Sequence, residues 1–335
     1  MKELDYAKLL SRPERSFPQN KLDSALRNRR ILVTGAGGSI GSSLCKRIAS
    51  SPAEFLGMVG HSELPIFKLQ QYFRAANPPV KREYRIVDAG ALEMAKALRD
   101  WRPDMVIHAA AHKHVGLMEN QPAAALENNT QATIRLHDLC SEYDVDFVFI
   151  STDKAARPTT FMGASKRLAE AYLLTSSSIS TICRFGNVLG SSSSLVDIFR
   201  RKIEAGETCV ITDPSMKRYF ITPNEAVGLV LTASLLCPWR AHSIFTIDMG
   251  EQEYIIDVVA KLFGEYGLDS RYALGTPGSG EKVVEDLLND NETTHSTEFP
   301  GILRIDGPLN PEKVRQAIFD AVPARLKEIT NGLTA

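Results

Sequence analysis

The sequence predicts an α/β protein: a doubly wound parallel sheet followed by a smaller C-terminal α/β lobe. Three observations carry this. From Arg30 onward, short runs that are apolar throughout alternate with longer amphipathic stretches, as expected of strands covered on both faces by crossover helices. A glycine-rich turn follows the first apolar run directly. The alternation then loosens after residue 187, which marks a change of architecture.

The strand-like runs are ILVTG (31–35), FLGMVG (55–60), YRIVD (84–88), DMVIHAAA (104–111), DFVFIST (146–152) and STICRFG (180–186). Helices are expected near 39–51, 63–75, 91–100, 117–141 and 161–176. Residues 1–29, polar and basic with Pro13 and Pro18, read as an arm leading into the first strand. Residues 30–188 are expected to form the dinucleotide-binding domain, with 223–250 returning to it. Residues 189–222 and 251–335 are expected to form a substrate-binding lobe. In this half, 192–205, 223–236 and 252–266 read as helices, Cys209–Ile211 and Ile244–Ile247 as short strands, and 267–300 as mostly loop.

A chain of 335 residues is long enough for about two domains and a sizeable core. The net charge of -1 argues against a nucleic-acid or anionic-membrane partner, while leaving room for a local basic patch. The cysteines (Cys45, Cys140, Cys183, Cys209, Cys237) are odd in number with no CxxC pair, which points to a reducing compartment. No apolar run approaches the ~18–20 residues of a membrane span, and the N-terminus has no apolar leader core. A cytoplasmic protein without membrane insertion is expected.

The turn is Thr34-Gly35-Ala36-Gly37-Gly38-Ser39-Ile40-Gly41, and it opens a helix. Gly35 permits the tight turn, and Gly38 lets the backbone approach a pyrophosphate resting on the helix N-terminus. Gly41 lets helix and strand pack closely. This is the context of a Rossmann-type cofactor site. Asp88, ending the third run, is placed to accept an adenine amino hydrogen. The second run should end in an acid for the adenosine ribose of NAD. It ends instead in Gly60-His61-Ser62-Glu63. Glu63 could substitute, or His61 and Ser62 could meet a 2′-phosphate, so NAD+ and NADP+ both stay open.

Ser151-Thr152-Asp153-Lys154 sits at the carboxyl end of a central strand, where open α/β sheets bind ligands. Met162-Gly163-Ala164-Ser165-Lys166 opens a helix, with Met162 and Lys166 one turn apart on a shared face. The triplet His108, His112, His114 invites a zinc reading, but His108 ends a strand, and pocket lining or plain packing is the alternative to a metal.

The segments TGAGGSIG (34–41), HAAAHKHV (108–115), NNTQAT (128–133), STDKA (151–155), MGASKRLAE (162–170), RFGNVLGSS (184–192), MKRYF (216–220) and GEK (280–282) occur in this order. Together they resemble the extended short-chain dehydrogenases/reductases. More narrowly, they resemble the polysaccharide-biosynthesis branch that holds UDP-N-acetylglucosamine 4,6-dehydratases. The resemblance runs from about residue 30 to about 305. LLSRP (9–13) resembles the segment before this domain in longer, membrane-anchored relatives.

The resemblance implies a bound NAD+ or NADP+ regenerated in each cycle, a UDP-sugar substrate, and homo-oligomers built on the helices near 117–141 and 161–176. It extends the cofactor lining to Ala89, Ala109, Ala110, Ala111, Lys113 and Asn128. Asn129 fits the position supporting the active-site helix. It assigns His114, Asn187, Lys217, Arg218 and Glu281 to the substrate. In the broad family a YxxxK pair serves the redox step; here Met162 stands at the tyrosine position and Lys166 remains. A thioether cannot carry a proton, and loss of a positioned acid–base group costs about 10²–10⁴ in rate. Methionine at this place resembles a subgroup of dehydratases that retains the C5 configuration. Thr152, Asp153 or a water on Lys166 would then take the C4 hydroxyl proton. Lys154 is expected to act as the base at C5, its pKa lowered by burial and nearby cations, and Asp153 as the acid at O6. Relatives carry Arg-Pro before Gly-Glu-Lys, whereas this chain has Gly278-Ser279. Phosphate binding would then rest on Arg218, Lys217 or Lys282. The alternatives are a nucleotide-sugar epimerase, a dehydratase acting on another sugar, or a non-catalytic NAD(P)-binding protein.

Overall fold

The structure is a computed structural model that describes residues 4–236 and 242–307. Cys237 and the 308–335 part of the expected lobe lie outside the described residues. The first six strands are β1 (Arg30–Thr34), β2 (Phe55–Gly60), β3 (Lys81–Ile86), β4 (Met105–His108), β5 (Asp146–Ile150) and β6 (Ser180–Cys183). The rest are β7 (Asn187–Val188), β8 (Cys209–Ile211), β9 (Lys217–Arg218), β10 (Phe220–Ile221), β11 (Ser243–Ile247), β12 (Glu253–Tyr254), β13 (Tyr272–Leu274), β14 (Thr293–Ser296) and β15 (Ile302–Asp306).

The main sheet has nine strands in the order β14-β15-β11-β6-β5-β4-β1-β2-β3. From β3 to β11 all neighbours are parallel, while β15 and β14 add antiparallel pairings. The order reverses between β1 and β4, which opens a crevice at their carboxyl ends. β1, β2 and β4 are almost wholly buried, as their apolar runs require. β3 (KREYRI) is an edge strand with alternating exposure. Its strand begins earlier than the expected 84–88, because an edge need not be apolar throughout and charges protect it.

One face of the sheet packs Ile31, Val33 and Leu56 against Leu44, Ile48 and the helix Pro223–Leu236. The other packs Leu32 and Phe55 against Trp101, Leu136 and Leu173. A third core joins Val196, Phe199, Ile211, Val258 and Leu262 in the smaller lobe, which carries the pairs β7–β10, β8–β13 and β9–β12.

Two expectations are corrected. The helix expected over 117–141 is broken into Val115–Glu119, Pro122–Leu126, a π-turn at Glu127–Gln131 and Ala132–Glu142. Pro122 lacks the N–H that continuity requires, and the π-turn inserts one residue beside Asn129. The stretch 267–300 is mostly loop, as expected, but β14 within it and β15 after it, both expected in the substrate-binding lobe, extend the main sheet. β14 (TTHS) is exposed along its whole length, so it carries no apolar signal.

The arm is not a loose lead-in. Leu4, Leu9 and Leu10 are buried in the lobe core, and Leu22 and Leu26 in the sheet core. Arg12 pairs with the fully buried Glu225 at 2.6 Å and donates to Met249 O. Glu225 also accepts from Arg15 N and Thr222 N. Segment 4–26 therefore straps the two cores together. Among the described residues no helix is long and apolar enough to cross a membrane.

Candidate active site

At the crevice, Gly35 has φ +61°, and a Cβ there would meet Ala110 N at 2.6 Å. A Cβ at Gly41 would lie 2.1 Å from Gly35 O, so the helix Ser39–Ala49 closes on the turn only with glycine there. Gly38 is exposed, and a Cβ there would have only Gly35 O within 4 Å, at 3.1 Å. The turn therefore presents open backbone and the positive end of an 11-residue helix, which fits a pyrophosphate. Ile40 is partly buried against the sheet core.

Ala109 and Ala110 form the β4 side of this cradle, and exposed Ala111 follows. Ser62 caps the helix Glu63–Ala76 without a side-chain bond, and His61 and Glu63 are exposed beside it. Exposed Asp88 has one oxygen held by Gly90 N at 2.8 Å, and Ala89 is buried. His112 lies within charge reach of His61 and Asp88; burial and His61 hold its imidazole below the usual range, against Asp88. The ends of β2, β3 and β4 thus converge on one pole.

Two of the expected cofactor residues have protein partners. Ser39 Oγ accepts from Ser192 N at 2.8 Å, and Lys113 Nζ donates to Ser192 O at 2.6 Å. Loop 190–194 therefore reaches both the glycine turn and the β4 loop. Asn128 donates to Asn129 Oδ1 at 3.0 Å. Asn129 in turn pins the backbone of His112 in both directions and donates to Ser165 Oγ, tying the β4 loop to the helix Phe161–Thr175. His108 is a core histidine between Thr34 Oγ1 at 2.7 Å and Thr133 Oγ1 at 3.0 Å. Its pKa is pushed down to about 3 by burial and then by Lys166.

After β5 the chain makes a short 3₁₀ turn, Asp153–Ala155. Asp153 is fully buried. Its Oδ1 accepts from Thr152 Oγ1 at 3.0 Å and Lys154 Nζ at 2.9 Å, while Oδ2 is buried without a partner. Lys154 Nζ also donates to Asn187 Oδ1 at 3.1 Å and lies 3.4 Å from Glu285 Oε1. Burial pushes the Lys154 pKa down, but the carboxylates of Asp153 and Glu285 outweigh it, so it stands above the usual lysine value. This corrects the expected lowering: the cation Arg218 is near, but two anions are nearer in effect.

The helix Phe161–Thr175 closes on this turn through Gly163, where a Cβ would stand 2.3 Å from Lys154 O. Met162 is buried with Met118 and Ala125, away from any proton donor role. Lys166 is buried, donates to Ile150 O at 2.6 Å and lies 3.9 Å from the Phe149 ring centroid. Burial pushes its pKa down to about 7, partly countered by Glu170. Ala164 and Ala171 of the same helix pack against Leu126 and Phe161.

On the lobe side, Arg218 is buried, donates to Lys217 O and Val283 O, and pairs with Glu281 and Glu285 at 3.6 Å each. Lys217 Nζ lies over the Tyr254 ring. Glu281 Oε2 accepts from Gly278 N at 3.1 Å, and Lys282 pairs with Asp286 at 2.8 Å. His114 is exposed at the start of Val115–Glu119. A cleft lined by Val115, Ser193, Phe199, Ile211, Ile255 and Glu281 opens between these elements.

The sequence reading missed Glu285, Gly163 and Gly186. A Cβ at Gly186 would meet Tyr219 Cβ at 2.6 Å, so glycine lets β7 lie against β9–β10. Only the recurrence of small residues beside MGASK and RFGN hinted at the close approaches, and nothing local marks Glu285.

Residues 31–307 match the family described as polysaccharide biosynthesis protein. The chain is similar to the capsular polysaccharide biosynthesis protein CapD of Staphylococcus aureus, 36% identical over 315 residues covering 91% of this chain and 52% of that protein. It thus spans about half the length of that relative. It is also similar to a UDP-N-acetylglucosamine 4,6-dehydratase (inverting) of Campylobacter jejuni, 32% identical over 216 residues, 61% of this chain and 63% of the relative. Among solved structures, Pen from Bacillus thuringiensis superposes with a TM-score of 0.75 at 25% identity, covering 88% of this chain and 98% of that one. With its crossover sheet, glycine cradle and family match in agreement, the chain belongs to the polysaccharide biosynthesis protein family.

Proposed function

We propose that this protein is an NAD(P)-dependent nucleotide-sugar 4,6-dehydratase acting on UDP-N-acetylglucosamine to form a UDP-2-acetamido-2,6-dideoxy-4-keto-hexose with C5 configuration retained. One observation carries the reading: the ion pair of buried Asp153 with partly buried Lys154 at the carboxyl edge of β5, where Lys166 reaches Ile150 O from the helix Phe161–Thr175. The glycine turn and the Ala109–Ala111 segment would hold the dinucleotide. When bound, NAD(P)+ supplies reversible hydride uptake from the sugar, so the overall reaction is redox-neutral.

The chain's own residues must supply a base at C5 and an acid at O6. As an ion pair, Lys154 and Asp153 are neither. Moving one proton along the 2.9 Å Nζ–Oδ1 contact turns the pair into an amine and a carboxylic acid, the two forms required. Lys154 then takes the C5 proton while Asp153 protonates O6, which leaves as water. Asn187 keeps Nζ in place through this exchange. Thr152 Oγ1, hydrogen-bonded to Asp153 and partly exposed, is assigned the relay of the C4 hydroxyl proton to solvent; Lys154 later returns a proton to C5, and the pair regains from solvent the one spent on O6.

Incubation with UDP-N-acetylglucosamine in deuterated water tests the reading. The expected product is 6-deoxy with one deuterium at C5, and Lys154→Ala abolishes both label and water loss while cofactor stays bound. Full turnover of that variant refutes the assignment. The ammonium cage around Lys154 favours one second reading, a C4 epimerase, which needs no base at C5; a C4 epimer without label would establish it.

A further inference from the structure

Glu285 has no part in the reaction as derived above, yet it is built into the site. Its side chain is 5% exposed. Its backbone is fixed by Gln252, which donates to Glu285 O at 2.8 Å and accepts from Glu285 N at 3.1 Å. Two residues earlier, Val283 O accepts from Lys217 N at 2.8 Å. The carboxylate is thereby aimed with one oxygen, Oε1, at two cations: Lys154 Nζ at 3.4 Å and Arg218 Nε at 3.6 Å.

We propose that Glu285 is a positioning residue that sets how firmly Lys154 holds its proton and where its amine points. The inference rests on the reading of Lys154 as the base at C5. The lysine ammonium has three hydrogens and three oxygens around it: Asp153 Oδ1, Asn187 Oδ1 and Glu285 Oε1. The charged groups facing it are Asp153 from its own turn, Glu285 from segment 283–285, and Arg218 from β9. Asp153 must change protonation during turnover, and Asn187 is neutral. Glu285 is the fixed member of the set, with its charge shared between Lys154 and Arg218. It keeps the amine protonated and aligned until a sugar arrives, so the base forms only when Asp153 takes the proton. Glu285 thus stabilises Arg218 and Lys154 together, linking the residue suited to an anionic diphosphate with the residue at C5.

The test uses the holoprotein with 13Cε-labelled lysine, and Lys154→Arg identifies the Lys154 signal. Removing an opposite charge at this range shifts a pKa by about 1–3 pH units. Glu285→Gln is expected to lower the Lys154 titration midpoint by that amount. The pH at which C5 deuterium exchange reaches half its maximum should fall with it, with KM for the UDP-sugar not raised. Glu285→Asp, which withdraws the carboxylate without removing it, is expected to lie between. If Glu285→Gln does not fold, Gln252→Ala, which frees the Glu285 backbone and leaves all charges, should give a smaller shift in the same direction. An unmoved Lys154 midpoint overturns the proposal. A moved midpoint in a protein whose wild type shows no C5 exchange supports the role of Glu285 toward Lys154 and overturns the dehydratase reading instead.

Discussion

Replacing Lys166 with methionine should remove a contribution that makes stability rise with pH. Free lysine titrates near 10.5, and Lys166 titrates at about 7. At about 1.4 kcal/mol per pH unit, that difference is worth about 5 kcal/mol. The folded state binds this proton less tightly than the unfolded chain, so the wild type loses stability as pH falls from 10.5 toward 7. Methionine does not titrate. It leaves Ile150 O without its donor, at a cost of about 1–3 kcal/mol that is the same at every pH and cancels from the comparison. Urea unfolding of cofactor-free wild type and Lys166→Met at about pH 7 and about pH 9.5 measures the effect. The stability of the variant relative to wild type should drop by about 3 kcal/mol between these two conditions. A difference constant to within about 0.5 kcal/mol would show that Lys166 titrates like free lysine, and the desolvation reasoning would fail.

Gly41→Ala places a Cβ 2.1 Å from Gly35 O and pushes the helix off the turn; nicotinamide cofactor affinity, measured by calorimetry, should weaken at least about tenfold, ~1.4 kcal/mol. Glu225→Ala leaves the Arg12 guanidinium without its buried partner, and a broken buried pair costs about 3–5 kcal/mol. Thermal unfolding should register that loss, and limited proteolysis should cut within residues 4–26, where the wild type resists.

The sheet was legible because its central strands are buried on both faces, and apolar runs such as ILVT and MVIH have no other use. The glycine cradle was legible for the same kind of reason, since only one residue type fits each contact. β14 was not, because an exposed edge strand of Thr, His and Ser reads as loop. The strap function of the arm was hidden because Arg12 and Glu225 are more than 200 residues apart and each alone reads as a surface charge. The Lys154 environment was only half legible. Asp153 is its chain neighbour, but Glu285 comes from a distant segment whose approach depends on Gln252 and β9. Both carboxylates raise the lysine pKa, Asp153 first and Glu285 after it, and only the first was visible as a neighbour in the chain.

Ser192 touches the mouth of the crevice from both sides, through Ser39 and through Lys113. The two contacts tie the segments that follow β1, β4 and β7 into one rim at that helix end. A change at this one serine therefore reaches both the glycine turn and the β4 loop, two pieces of chain far apart in the sequence.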